Sequence, residues 1–249
     1  LRSRTTGVIN ASSVTTLTGS VSELKSIYTP GPLAITGLGS AGITLSGPSA
    51  AAAADLAAID FGTRGVINAS SVTTLTGTAA EVRAVYTAIS AGQITGLGGA
   101  GITLSGASAS ASDLLAIDAG TTGVINASSV TTLAGTAADV RAVYAAITAG
   151  QITGLGGAGI TLTGASASAT DLAAIDAGTT GVMNASSVTT LTGTVSDLNK
   201  IFSSGVQAIS GLGKQGISVV DTNLSVAVLN SLRSRTTGVI NASSVTTLT

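Results

Sequence analysis

The chain of 249 residues has no cysteine, no histidine and no tryptophan. Without cysteine there is no disulfide framework and no thiolate nucleophile, and without histidine the commonest proton shuttle is missing. Aromatic residues make up 2% of the chain and charged residues 8%. The large aromatic side chains that anchor compact cores and ligand pockets are therefore scarce. Ten basic and eleven acidic residues leave a net charge of −1, which provides neither a field for nucleic acid nor a polybasic membrane patch. Long uncharged stretches occur, but Gly, Ser and Thr interrupt them every few positions, so none reads as a membrane helix. The chain opens on Leu1 with no signal peptide, and it is expected to be a fragment or a processed piece.

What is present is small and aliphatic. Apolar residues make up 44% of the chain, mostly Ala, Val, Ile and Leu, and 33 residues are glycine. Low hydropathy and high charge, the marks of disorder, are both missing. Such a composition suits a core of many thin layers.

Internal repeats dominate the sequence. Gly65-Val-Ile-Asn-Ala-Ser-Ser-Val-Thr-Thr-Leu75 recurs, with one change, from Gly7, Gly123, Gly181 and Gly238. The spacing is regular except that the last interval is one position shorter than the others. The sub-repeats are 7–64, 65–122, 123–180 and 181–237, which together make one block, and 238–249 begin the next block. Residues 1–18 are identical to 232–249. Each unit divides again into halves, because Leu75, Leu104, Leu133, Leu162 and Leu191 are evenly spaced at half the repeat.

Both halves read as strand, glycine, helix. In the first half, Val72–Leu75 forms the strand and Thr78–Ser90 the helix, with Val82, Val85, Tyr86 and Ile89 on one apolar stripe. In the second, Gly101–Ser105 is the strand and Ser110–Asp118 the helix. Thr78 and Glu81 form a capping box. The same grammar returns at Ser20/Glu23, Ser110/Asp113, Thr136/Asp139, Ser168/Asp171 and Thr194/Asp197, and at Asp55, where Ala52 removes the hydroxyl. Acids at helix N-termini also suit the dipole.

Strands alternating with helices at 29-residue spacing predict parallel strands joined by crossovers. The fold class expected is therefore α/β: a single solenoid array over 1–249 of 29-residue strand–helix units, paired into a 58-residue double repeat. No unit can bury its apolar face alone, whereas stacked units can. Parallel strands want a spacing of about 4.8 Å and packed helices about 8–10 Å. The array must therefore curve, stagger its helices or place them on alternate faces.

Four patterns invite a chemical reading. G-x-G-x-x-G occurs at Gly37/Gly39/Gly42, Gly96/Gly98/Gly101, Gly154/Gly156/Gly159 and Gly211/Gly213/Gly216, but it leads into a strand rather than a helix, which favours a turn over a nucleotide site. Asn-Ala-Ser at Asn10, Asn68, Asn126, Asn184 and Asn241, with Asn223-Leu-Ser225, matches a glycan acceptor, against a side chain bonding its own turn. Thr-x-Thr, as at Thr74/Thr76, Thr161/Thr163 and Thr190/Thr192, is read as β-branched filler rather than an ice-ordering array, because Ala134 breaks the column. Asp60, Asp118 and Asp176 recur once per repeat in the first three repeats. They are read as Asx turns after a helix rather than a calcium column, which would need several oxygens per ion. No catalytic, cofactor or metal site is assigned, and the chain is not expected to be an enzyme. Departures from the repeat, at Lys200, Phe202, Lys214, Gln215, Arg233 and Arg235, are too scattered along the sequence to define a site.

The string Val72-Thr-Thr-Leu-Thr-Gly-Thr-Ala-Ala-Glu-Val82, with Ile-Thr-Gly-Leu-Gly and Asp113-Leu-Leu-Ala-Ile-Asp118, resembles repeats of giant secreted and cell-surface proteins of cyanobacteria, including those associated with swimming motility in marine species. The resemblance implies an extracellular setting and a structural or adhesive role. The expectation is a filament, stalk or surface matrix, the alternative an adhesive module for glycan, ice or a partner cell. Neighbouring repeats, or identical copies end to end, are the expected partners, because neither end differs from the interior.

Overall fold

The computed structural model describes residues 7–28, 35–47, 49–203 and 209–249. Residues 1–6 of the duplicated terminal segment lie outside the described residues. The fold is α/β, with short parallel strands alternating with eight helices among the described residues. The helices are α1 (Val21–Tyr28), α2 (Ala53–Gly62), α3 (Ala79–Ser90), α4 (Ala111–Asp118), α5 (Ala137–Thr148), α6 (Ala169–Gly178), α7 (Val195–Phe202) and α8 (Val226–Arg233). The chain forms two compact units, residues 1–106 with 116–127, and residues 107–115 with 128–249. Each is a solenoid-like stack of repeats.

In the first unit Ala50–Ala52, Thr74–Gly77, Gly101–Leu104 and Ile125–Asn126 lie side by side, all parallel. Thr16–Gly19, Gly42–Leu45, Ile67–Asn68 and Ile94–Thr95 do the same. The second unit repeats the pattern with Ser108–Ser110, Thr132–Gly135, Gly159–Leu162, Met183–Asn184 and Ile209–Ser210. A further parallel set runs through Ser166–Ser168, Thr190–Gly193, Gly216–Val219 and Ile240–Asn241.

The register resolves the spacing conflict by stagger. Leu75 lies opposite Ile102, whereas its repeat counterpart, Leu104, is two residues further on. In the second unit Leu133 likewise faces Ile160, two residues before Leu162. Two residues are about 6.6 Å along a strand, and the neighbouring strand is about 4.8 Å across. Equivalent points are thus displaced by about 8 Å, the separation at which helices pack. Successive helices accordingly touch: α1 packs on α2 and α2 on α3, and α5 packs on α6 and α6 on α7.

Strand alternation sends Leu75, Ile102 and Ile125 inward, each at most 1% exposed. Opposite them the helices bury Leu56 and Ile59 from α2 and Val82, Val85 and Tyr86 from α3. Ala88 completes the α3 stripe, and Ile89, expected there, is only half-buried. The strand expected at Val72–Leu75 begins two residues later, at Thr74. Val72 instead closes a tight turn, its amide donating to Ala69 O, and the Thr73 amide donates to Ser49 O.

The helix starts follow the capping grammar with two corrections. Thr78 and Glu81 make the complete reciprocal box, as do Ser20 and Glu23. At α5 and α7 the Thr136 and Thr194 hydroxyls accept from the Asp139 and Asp197 amides. The shorter Asp carboxylate, however, takes its bond from the Thr hydroxyl and not from the N-cap amide. Asp55 caps nothing through Ala52 and instead pairs with Lys25 on α1. Asp171 pairs in the same way with Arg141, at 3.0 Å.

Replacing Thr136 with Ala removes the acceptor of the Asp139 amide, and the expected cost is about 1 kcal/mol. Thermal and urea melts of the chain should show this loss. Unchanged melts would mean that α5 does not depend on its cap.

Candidate functional site

The polar residues converge on the seam between successive coils. Its centre is a buried threonine. Thr63, Thr121, Thr179 and Thr236 are each at most 8% exposed. The Thr121 hydroxyl donates to Ala100 O (2.9 Å), just before the neighbouring strand Gly101–Leu104, and accepts from the Gly123 amide (2.9 Å). Thr63, Thr179 and Thr236 repeat this with Ala41, Ala158 and Gln215. The turn expected of Asp60, Asp118 and Asp176 is therefore made by the threonine three residues later. The glycine that follows is obligatory, because a Cβ on Gly123 would lie 2.2 Å from Ala100 O.

The glycine triplets are turns, not phosphate cradles. Gly96 has a φ of +91°, and a Cβ there would meet the Ser70 amide nitrogen at 2.6 Å. The close approach is to the neighbouring coil's backbone. The second glycine's carbonyl, Gly98 O, accepts from the Thr122 amide at 2.8 Å. Asn10, Asn68, Asn184 and Asn241 use Oδ1 to accept the amide of the serine two residues on, at 3.0–3.1 Å. These are the Asx turns expected of Asn-Ala-Ser. The threonines of the outer sheet face bond across the strands, as Thr76 does to Ala51 O and Thr95 to Ile67 O. Val66, Val124 and Val182, each just before a two-residue strand, stand about half-exposed.

Tyrosines seal the helix ends. Tyr86 lies against Gly120, where a Cβ would sit 2.5 Å from the ring, and its hydroxyl donates to Leu97 O at 3.3 Å. Tyr144 does the same with Gly178 and Leu155. Burial holds both hydroxyls above the ordinary tyrosine pKa, so they remain donors. The grooves beside them are shallow and are copies of one another, lined by Arg83, Thr87 and Ala116 in one and Arg141, Ala145 and Ala174 in the other.

The fourth repeat departs from this plan, and the structure gathers departures that look scattered in sequence. Gln215 stands where other repeats have Ala41, Ala100 and Ala158 and is 3% exposed. Its Oε1 accepts the Gly213 and Lys214 amides, and its Nε2 donates to Val188 O and Gly211 O. Beside it Lys214, Ser186 and Thr189 line a cleft of about 330 Å³. Phe202 replaces the tyrosine and Arg235 the glycine of the helix seal, and Arg235 Nη1 donates to Phe202 O at 2.7 Å. Lys200 stays apart from these, paired with Asp197 on its own helix.

Asp60, Asp118 and Asp176 occupy the last turns of α2, α4 and α6. Desolvation pushes all three carboxyls above the ordinary range, and Asp176 Oδ1 is buried without a partner. Sequence reasoning missed this adverse placement. Position relative to the helix end was the available signal. Glu23 is shifted the other way by the Ser20 hydroxyl and amide, and Asp197 by Lys200 and Thr194.

Among the described residues no three acidic side chains come together in a metal-binding group, and no helix is long and apolar enough to cross a membrane. No family model matches the chain, and neither does any curated protein or any solved structure.

Replacing Thr121 with Val keeps the shape but removes both seam bonds, for an expected loss of about 1–3 kcal/mol, read from denaturant midpoints. Asp118 gives a prediction of opposite sign. A carboxyl whose folded pKa is raised stabilises the fold when protonated. That contribution is full below the unfolded pKa and fades as pH rises through the folded one. Asp118→Asn should therefore raise the melting temperature at pH 7 and lose its advantage in acid. Parallel melts from pH 3 to pH 8 check the crossover, and an equal gain at every pH would contradict it.

Proposed function

We propose that the chain is a structural repeat module of an extracellular filament, stalk or surface matrix, with length generated by repetition rather than by a singular site. The observation that carries this reading is the seam. The buried threonine, the obligatory glycine and the parallel strand pairing recur in successive repeats, and each couples one coil to the next. A coil whose polar groups are spent on its neighbour stacks on it, and the array extends without new sequence vocabulary. The resemblance to giant cyanobacterial surface proteins supports the extracellular setting.

A second reading, an adhesive module, draws on the outward side of the sheets within each unit. There Val66, Val124 and Val182 stand exposed beside Thr and Asn side chains, and the charged side chains of the described residues lie in helices and loops. Electron microscopy of the native particle, with antibody labelling of intact cells, separates the readings. Labelled surface fibres of repeating profile are expected. Label confined to the cell interior, or compact isolated particles, would defeat the filament reading.

A further inference from the structure

Most charges in the helices are committed to caps and to pairs such as Lys25–Asp55 and Arg141–Asp171. What remains is arranged by repeat. In the second and third repeats Asp118 and Asp176 stand in the last turn of a helix, where the dipole disfavours a carboxylate, and neither has a hydrogen-bond or ion-pair partner among the described residues. At the same place the fourth repeat has Arg233, the exposed last residue of α8. Two residues later Arg235 replaces Gly120 and Gly178, and Lys214 replaces Gly99 and Gly157. The backbone joins these substitutions at one corner: the Thr237 amide donates to Gly213 O (2.9 Å) and the Thr236 hydroxyl to Gln215 O (2.6 Å).

The inversion extends to whole repeats. The second carries Glu81, Asp113 and Asp118 against Arg83, and the third Asp139, Asp171 and Asp176 against Arg141. The fourth carries Asp197 and Asp221 against Lys200, Lys214, Arg233 and Arg235. In it Asp197 is already taken by Lys200, and Asp221 accepts the Val195 amide. One corner is therefore cationic on the same threonine-stapled backbone that elsewhere carries carboxylates.

We propose that this corner is a docking surface for a second copy of the chain, with the fourth repeat of one molecule engaging the α4 or α6 end of another. The inference rests on the structural reading above and supplies its lateral partner. Arg233 is the positional complement of Asp118 and Asp176, Lys214 and Arg235 add positive charge where the second and third repeats have glycine, and the two carboxylates lack cations of their own. The first repeat fits less well, because Arg64 lies four residues from Asp60 and offsets its charge. The contact is heterologous: a molecule that lends its cationic corner still offers its acidic ends, so copies continue to add unless the rotation between neighbours closes a ring. Exposed charge pairs are individually weak and are screened by salt, so assembly should be cooperative along the array and reversible by ionic strength.

Sedimentation velocity of the full chain at pH 7 tests this. Species larger than the monomer are expected at 20 mM salt, dissolving at 500 mM. Arg233→Asp with Lys214→Gly should leave a monomer at low salt, as should Asp118→Asn with Asp176→Asn. Circular dichroism melts show that each variant is folded, and Arg233→Asp alone serves as the milder replacement if the double change is not. Mixing the two variants should restore a heterotypic complex, since each keeps one half of the contact. A wild-type chain that stays monomeric at low salt overturns the proposal, as does association that either charge variant leaves intact or a mixture that fails to assemble. Association appearing only after an acidic polysaccharide is added would assign the corner to that polymer and equally overturn the proposal. Assembly that persists at 500 mM salt would also defeat it while leaving the filament reading to stand on its own images.

Discussion

Two layers of this molecule have different natural periods, and one displacement must serve both. Strands hydrogen-bond at about 4.8 Å, whereas helices pack at about 8–10 Å. A shear of two residues along the strand reconciles them, and it appears wherever Leu75 faces Ile102 or Leu133 faces Ile160. The rest of the stack follows from that shear. Sheared coils bring backbone onto backbone at their corners, which is why Gly123 and Gly96 tolerate no Cβ. The same corners would strand polar groups, and the buried Thr121 hydroxyl satisfies two of them.

The seam also explains the composition. Thin layers need small side chains, so Leu75, Ile102 and Ile125 fill the sheet side. Tyrosine appears where a helix end meets a glycine: Tyr28 against Gly62, Tyr86 against Gly120 and Tyr144 against Gly178. Each ring fills the space that the glycine leaves. In the fourth repeat both partners change together, to Phe202 and Arg235, and the guanidinium reaches the Phe202 carbonyl instead. The substitution of one partner with the other marks this position as a coupled pair.

Acids at the two ends of a helix act on stability in opposite directions. Acids in the first turn of a helix cap it or pair with the preceding helix, and they strengthen the stack. Acids in the last turn, at Asp60, Asp118 and Asp176, oppose the dipole and are partly desolvated. The fourth repeat inverts this position at Arg233, where a cation in the last turn suits the dipole.

The sequence by itself determined the period, the helices, their caps and the parallel order of the strands. These depend on neighbours three or four residues apart, or on the spacing of identical segments, and both are visible in one dimension. Asn68 could be placed in a turn because its side chain bonds an amide two residues away. The two-residue strands at Ile67–Asn68 and Ile94–Thr95 could not be read, since so short a run has no periodicity and exists only through its partner. Only the tertiary structure decided the two-residue register shift, the identity of Thr121 rather than Asp118 as the turn residue, and the gathering of Lys214, Gln215, Phe202 and Arg235. Each depends on contacts between residues far apart in the chain, and their alignment is set by how helices and strands share one translation.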